Sequence, residues 1–390
     1  MNFSRIFIAG YAIGLNLVNH FRRKQRSSDR AMIIFQQVFG DAVVLTSALD
    51  GYVECLVRRQ GMKLVLVCKP AIAQFLKEVA TLPQELEIRT VDFKRLMDDF
   101  WYFRRIVHEY SMFADIALTP GDSLSAELLS TTLRAKRRIG VLPAYIRTWP
   151  PQMVVFQRLA FTETIQSEEK MMMIQRHRLL LHHLGMTDYK GKLPQLQAKV
   201  QEIVGRYCVV CPGASTEVKR WPSERFAVIV DYIVECYDMD IHICGGADES
   251  DIAQRMRSQS RYPDRIIDHT GKTGFSSWSA IVEHAQLVIG NDSATLHIAA
   301  AHRCRAICIA GIYDKWMFFP YLVDELDEGD RLPETLLVDW PCAFCRTKGY
   351  FAGYKRPDCK RVIDHGECAL CISAITTDMV KEKIDKLMNA

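Results

Sequence analysis

Short apolar runs alternate with helix-periodic runs along most of the chain. Ala31–Phe35 is an unbroken apolar run that predicts a strand, and Asp41–Arg59 follows with helical spacing. Leu64–Val67, Ile88–Val91, Phe113–Leu118 and Arg138–Val141 read as further strands, with helices at Ile72–Val79, Phe93–His108 and Ser123–Arg134 between them. The pattern breaks at Pro143, Trp149, Pro150 and Pro151. A helix over Glu168–Leu184 then ends at Gly185, where helices commonly stop. Alternation restarts with strands at Tyr207–Cys211, Asp240–Cys244, Arg265–Asp268, Gln286–Gly290 and Arg305–Ala310, and a last helix spans Thr377–Met388. Strands alternating with helices predict βαβ units and parallel sheets. The expected class is therefore α/β: two Rossmann-like domains facing across a cleft, with ligands outside the carboxyl ends of the strands. The expected division is an N-terminal helix (1–30), a first domain (31–165), a linker helix (166–190), a second domain (191–340), and a Cys-rich hook with a closing helix (341–390).

Of the 390 residues, 49% are apolar and 25% charged, which excludes disorder for the bulk of the chain. A net charge of +4 is too weak to imply nucleic acid. No apolar run approaches the roughly 18 residues of a membrane span. Ile6–Val18 is mostly apolar and is followed by Arg22, Arg23, Lys24, Arg26 and Arg30. A secretory signal puts its charge before the apolar core, so a cytoplasmic protein is expected. Ile6, Ile13, Leu17 and Phe21 fall near helical spacing. Such a helix either lies on the anionic inner face of a membrane or packs on its own domain with the basic end solvated.

Two loops carry the chemistry. Cys211-Pro212-Gly213-Ala214-Ser215-Thr216-Glu217-Val218-Lys219-Arg220-Trp221-Pro222 leaves a strand and enters a helix. Gly213 and Ala214 allow close approach of a ligand, Ser215 and Thr216 offer hydroxyls, and Lys219 and Arg220 offer charge, as a diphosphate requires. Gly290-Asn291-Asp292-Ser293-Ala294-Thr295-Leu296-His297 also joins a strand to a helix. Asp292 or Ser293 caps that helix, whose free N–H groups near Ser293, Ala294 and Thr295 favour an anion. His297 either donates to the same anion or is a core histidine. Asp238-Met239-Asp240 precedes a strand, at the wrong end of the sheet for a catalytic metal, and reads as a solvated turn.

These motifs resemble glycosyltransferase family 9, the ADP-heptose:lipopolysaccharide heptosyltransferases. Gly40-Asp41 with Val43, Val44 and Leu45, and His269-Thr270-Gly271-Lys272-Thr273, extend the resemblance over about residues 31 to 385. It implies the GT-B fold, with the sugar nucleotide on the second domain. It implies Asp41 as catalytic base and Lys219 as the group stabilising the departing diphosphate. It places Gly213, Ser215, Thr216, Lys219, Asp292, Ser293, Ala294 and Thr295 around the donor's phosphates, and Gly246 near the nucleoside. Gln36 or Gln37 stands where the family often has Arg, and Ser47 where it often has Pro. The implied reaction is inverting and uses no cofactor or metal: ADP-heptose gives its sugar to a lipid A-core acceptor. A protein or other glycan acceptor, and a non-catalytic sugar-nucleotide-binding module, are the alternatives.

Cys342-x2-Cys345, Cys359 and Cys368-x2-Cys371 crowd into 30 residues. Two such pairs fit a tetrahedral thiolate site for structural zinc or iron, using four of the five. Unligated cysteines in a C-terminal hook are the other reading.

Overall fold

The computed structural model describes residues 3–21, 28–121, 123–142, 157–168, 171–197, 205–312, 317–339 and 368–389. Its contacts divide the chain into two units: Met1–Lys77 with Leu82–Gly191, and Glu78–Thr81 with Lys192–Ala390.

The first unit is built on strands β1 (Arg30–Phe35), β2 (Lys63–Cys68), β3 (Leu86–Thr90), β4 (Ile116–Thr119), β5 (Arg137–Leu142) and β6 (Glu163–Gln166). They form one parallel sheet in the order β3-β2-β1-β4-β5-β6. Ala31–Phe35 and Leu64–Cys68 are wholly buried, which is why these strands read as unbroken apolar runs. β6 falls where the sequence suggested only a break. It is a short edge strand with alternating exposure, tied to β5 by the Arg137–Glu163 ion pair at 2.7 Å.

Three helices differ from the sequence expectation. The helix after β1 starts at Phe39, two residues before the expected start, and Asp41 is its third residue. The helix expected over Phe93–His108 is two, Phe93–Asp98 and Phe100–Tyr110, because Asp99 takes the N-cap of the second and accepts from Tyr102 N–H at 3.0 Å. The expected linker helix is Met173–His183, packed inside the first unit against the Phe39–Tyr52 helix. There the Tyr52 hydroxyl meets His177 Nδ1 at 2.9 Å, and burial pushes the His177 pKa down to about 3.

The N-terminal helix, Phe3–Phe21, also belongs to this unit. Ile8 and Ala12 enter a core shared with Met32, Ile34 and Phe103. Asn16 donates to the Thr131 and Leu159 carbonyls at 2.9 Å each, and Asn19 donates to the Thr132 carbonyl at 3.0 Å.

The second unit repeats the winding with β7 (Tyr207–Cys211), β8 (Asp240–Ile243), β9 (Ile266–Asp268), β10 (Leu287–Asn291), β11 (Ala306–Ile309) and β12 (Glu334–Leu336), ordered β12-β11-β10-β7-β8-β9. The closing helix, Thr377–Met388, packs into this unit through Val380 and Ile384. Its Asp385 accepts from the Tyr232 and Tyr237 hydroxyls, both at 2.6 Å. Cys342, Cys345 and Cys359 lie outside the described residues; Cys371 is buried in the core of this unit and Cys368 is half-buried. No helix among the described residues is long and apolar enough to cross a membrane.

Candidate functional site

Strand order in the second sheet reverses between β7 and β10, which pair directly, with Gly290 opposite Cys211. Such a switch point opens a crevice at the carboxyl ends of the strands. The two motif loops leave these two ends, so topology brings together what the sequence keeps some 80 residues apart. A Cβ on Gly290 would lie 2.8 Å from Cys211, so only glycine lets the strands approach this closely.

The loops are fastened by Asn291, a wholly buried side chain. Its carbonyl accepts from Trp221 N–H at 3.0 Å, and its amide donates to the Pro212 carbonyl at 2.7 Å. Trp221 is itself buried and donates from its ring to Ile375 O at 2.8 Å. Arg220 donates to Ala214 O at 3.2 and 3.1 Å and closes the loop on itself. What remains at the mouth is Lys219, buried, with Nζ 2.8 Å from Asp292 Oδ2 and 5.4 Å from the centre of the Phe318 ring. Ser215 and Thr216 are exposed, on the approach to a short helical turn at Glu217–Lys219.

Ser293 holds the N-cap position of the Ala294–Ala301 helix, yet its hydroxyl makes no capping bond. That hydroxyl is buried and has no hydrogen-bond partner among the described residues. The site therefore offers a cation, an unmet hydroxyl and the free N–H groups of a helix start at Ala294 and Thr295, a set suited to phosphate oxygens.

His297 is a core residue. Its Nδ1 lies 2.6 Å from the Tyr321 hydroxyl, the ring packs on Phe319, and burial, with Lys219 nearby, pushes its pKa down to about 3. It is neutral, so it brings no positive charge to an anion.

Glu249 was not evident from sequence. Its carboxylate lies beside Gly213 and Gly245 and accepts from Gly246 N–H at 3.0 Å. A Cβ on Gly213 would overlap it, so the glycine leaves room for this carboxylate. Burial pushes the Glu249 carboxyl above its usual range. It stands between the carboxyl ends of β7 and β8, an acceptor for hydroxyl donors. No sequence spacing links 213 to 249; only the adjacency of the two strands does. Asp238 and Asp240 are both paired to Arg265 at the amino end of β8, as a structural turn.

The first unit has its own switch point, between β1 and β4. Asp41 is buried there near the start of the Phe39–Tyr52 helix, accepting from Val38 N–H at 3.4 Å. Lys69, half-buried at the end of β2, is held below its usual range by burial while the Asp41 charge pulls it back up. The Gln37 side chain lies over Gly121, and both of its amide atoms are buried without a partner among the described residues.

Two consequences are measurable. Asn291→Ala strands a buried N–H and a buried carbonyl, so the unfolding free energy should fall by about 2–4 kcal/mol, read by denaturant titration. His242, His297 and His302 have pKa values pushed down to about 4, 3 and 4, first of all by burial. In the unfolded chain each returns to about 6.5. The native state therefore binds fewer protons, and stability is full above that value and lost as pH falls toward 4, at up to about 1.4 kcal/mol per pH unit per ring. The melting temperature should drop from pH 7 to pH 5, and His302→Gln should make that slope shallower.

Residues 104–323, more than half of the chain, match glycosyltransferase family 9 (heptosyltransferase). One "Lipopolysaccharide heptosyltransferase 3" of Escherichia coli is 30% identical over 116 residues, covering 30% of this chain and 34% of that protein. A protein of the same name from E. coli strain K12 is 27% identical over 161 residues, covering 38% and 46%. The chain thus matches a third to a half of the length of these relatives. The solved E. coli ADP-heptose lps heptosyltransferase II superposes with a TM-score of 0.64 at 14% identity, over 92% of this chain and 98% of that one, a likeness of fold. With both sheets wound as in the GT-B fold and the motif loops at the second switch point, the chain belongs to glycosyltransferase family 9.

Proposed function

We propose that this protein transfers a heptose from ADP-heptose to a lipopolysaccharide core acceptor, with inversion at the anomeric carbon. The observation that carries this reading is Lys219 held against Asp292 beside the unmatched Ser293 hydroxyl at the β7/β10 switch point. The names of the relatives and of the structural neighbour support the donor and acceptor classes.

In this mechanism Asp41 takes the proton from an acceptor hydroxyl as its oxygen attacks the anomeric carbon. The glycosyl–oxygen bond to ADP breaks on the opposite face, through a transition state with oxocarbenium character. Negative charge grows on the diphosphate as it leaves. Lys219, the Ser293 hydroxyl and the N–H groups of Ala294 and Thr295 receive it from fixed positions, which lowers the barrier because the interaction strengthens as the bond breaks. These groups do the work without a metal at the diphosphate. Glu249 accepts hydrogen bonds from the ribose diol, with Gly246 beside it.

The Cys cluster is proposed as a structural metal site. Thiolates select zinc or iron, and Cys371, buried in the core of the second unit, would anchor the metal-bound segment to it. Purified protein should then carry about one equivalent of zinc or iron, lost together with thermal stability in Cys368→Ser. Metal-free protein of unchanged melting temperature would refute this.

Turnover is read as ADP released from ADP-heptose in the presence of a core acceptor. Lys219→Ala should lower it about 10²–10³-fold. Asp41→Asn should abolish transfer while ADP still binds. Unchanged turnover in Lys219→Ala, or no release from ADP-heptose by the parent protein, would overturn the reading.

A further inference from the structure

An apolar helix buried on one side only needs a partner for the other. The Phe3–Phe21 helix turns Ile8, Ala12, Asn16 and Asn19 inward. Phe7, Ile13, Leu17 and Val18 are 37–63% exposed, and Gly10 and Gly14 are open, with nothing within 4 Å of a Cβ at either. At 3.6 residues per turn these six positions share one arc of roughly 140°, without a polar residue in it. An apolar arc of this width on a helix is normally buried. Beside it, the Tyr11 ring meets Phe100 at 5.6 Å, and the next residue, Trp101, is 70% exposed.

We propose that this face is a membrane-docking surface: the helix lies in the plane of an anionic bilayer, with Leu17, Val18 and Trp101 in the headgroup boundary. Charge selects this occupant. The helix has no acidic residue, and Arg22, Arg23, Lys24 and Arg26 follow it directly in sequence. Arg104 and Arg105, one turn from Trp101, are exposed; Arg104 lies 5.7 Å from the Trp101 ring and Arg105 4.9 Å from the Tyr102 ring. Cations flanking an apolar stripe with an interfacial tryptophan match anionic headgroups above acyl chains. A second copy docking by a two-fold would bring the same face, with the same basic run, against itself. The docking surface belongs to the first unit alone. It stands or falls apart from the donor and acceptor assigned above.

The test is sedimentation of the full chain with phosphatidylcholine vesicles, with and without phosphatidylglycerol, at low and high salt. The protein should sediment with phosphatidylglycerol vesicles, and high salt should weaken binding several-fold. A Leu17→Glu, Val18→Glu double variant should fold and melt like the parent, because both side chains are exposed, yet bind at least tenfold more weakly; Leu17→Ile should bind like the parent. No vesicle binding by the parent, or equal binding by the double variant, would overturn the proposal. So would a concentration-dependent dimer of the parent, by light scattering, that the double variant abolishes: a second copy would then be the occupant.

Discussion

The candidate donor site depends on one neutral, buried amide. Asn291 ends β10 and holds both the Pro212 carbonyl and the Trp221 N–H. Lys219 sits between those two points on the loop, so its distance to Asp292 is set by backbone fastened at both ends. This arrangement suits an ion pair. Withdrawing an ammonium and a carboxylate from water costs several kcal/mol each, and their attraction offsets that only in good geometry. The 2.8 Å contact is such a geometry. Asp292 keeps Lys219 in one rotamer before any ligand arrives. It also cancels most of the local charge, leaving the helix start at Ser293 as the main attraction for a diphosphate until Lys219 is shared with it.

The two units apply one winding to different chemistry. Both sheets reverse strand order at their centre, and both carry polar, largely buried side chains at that point. In the second, the side chains are a cation, its counter-ion and an unmet hydroxyl. In the first, they are a carboxylate at a helix start, a half-buried lysine and an unmatched amide. The set in the second unit suits an anionic group that accumulates charge; the set in the first unit suits a hydroxyl that loses a proton. Gln37, whose amide atoms are buried and unmatched among the described residues, brings hydrogen-bonding capacity but no charge to that end of the sheet.

Much of this was legible in the sequence, for a physical reason. Strands β1, β2, β7 and β10 are buried on both faces, so they appear as unbroken apolar runs. β6 and β12 are three- or four-residue edge strands with partly exposed side chains, and no comparable signal marks them. Lys219, Asp292 and Ser293 could be singled out from the sequence because each lies in a loop that follows a strong strand. Glu249 and the grip of Asn291 were not, because each depends on which strands are neighbours. His297 was ambiguous because its surroundings come from Phe319 and Tyr321, beyond β11, where no pattern announces a wall of the core.

The N-terminal helix shows how polar groups settle a choice that apolar ones leave open. Its inner and outer faces are both apolar, so hydrophobic burial alone gives little preference for which one packs. Asn16 and Asn19 decide it. They occupy one face and donate to the Thr131 and Thr132 carbonyls at the end of the Leu124–Thr132 helix, where intrahelical partners run out. Rotating the helix to bury Leu17 and Val18 would turn both amides to water and take their donors from the Leu159 and Thr132 carbonyls, at roughly 1–3 kcal/mol for each carbonyl left buried and unmatched. Two asparagines therefore pin the helix in the rotation that presents its outer apolar arc to the surroundings.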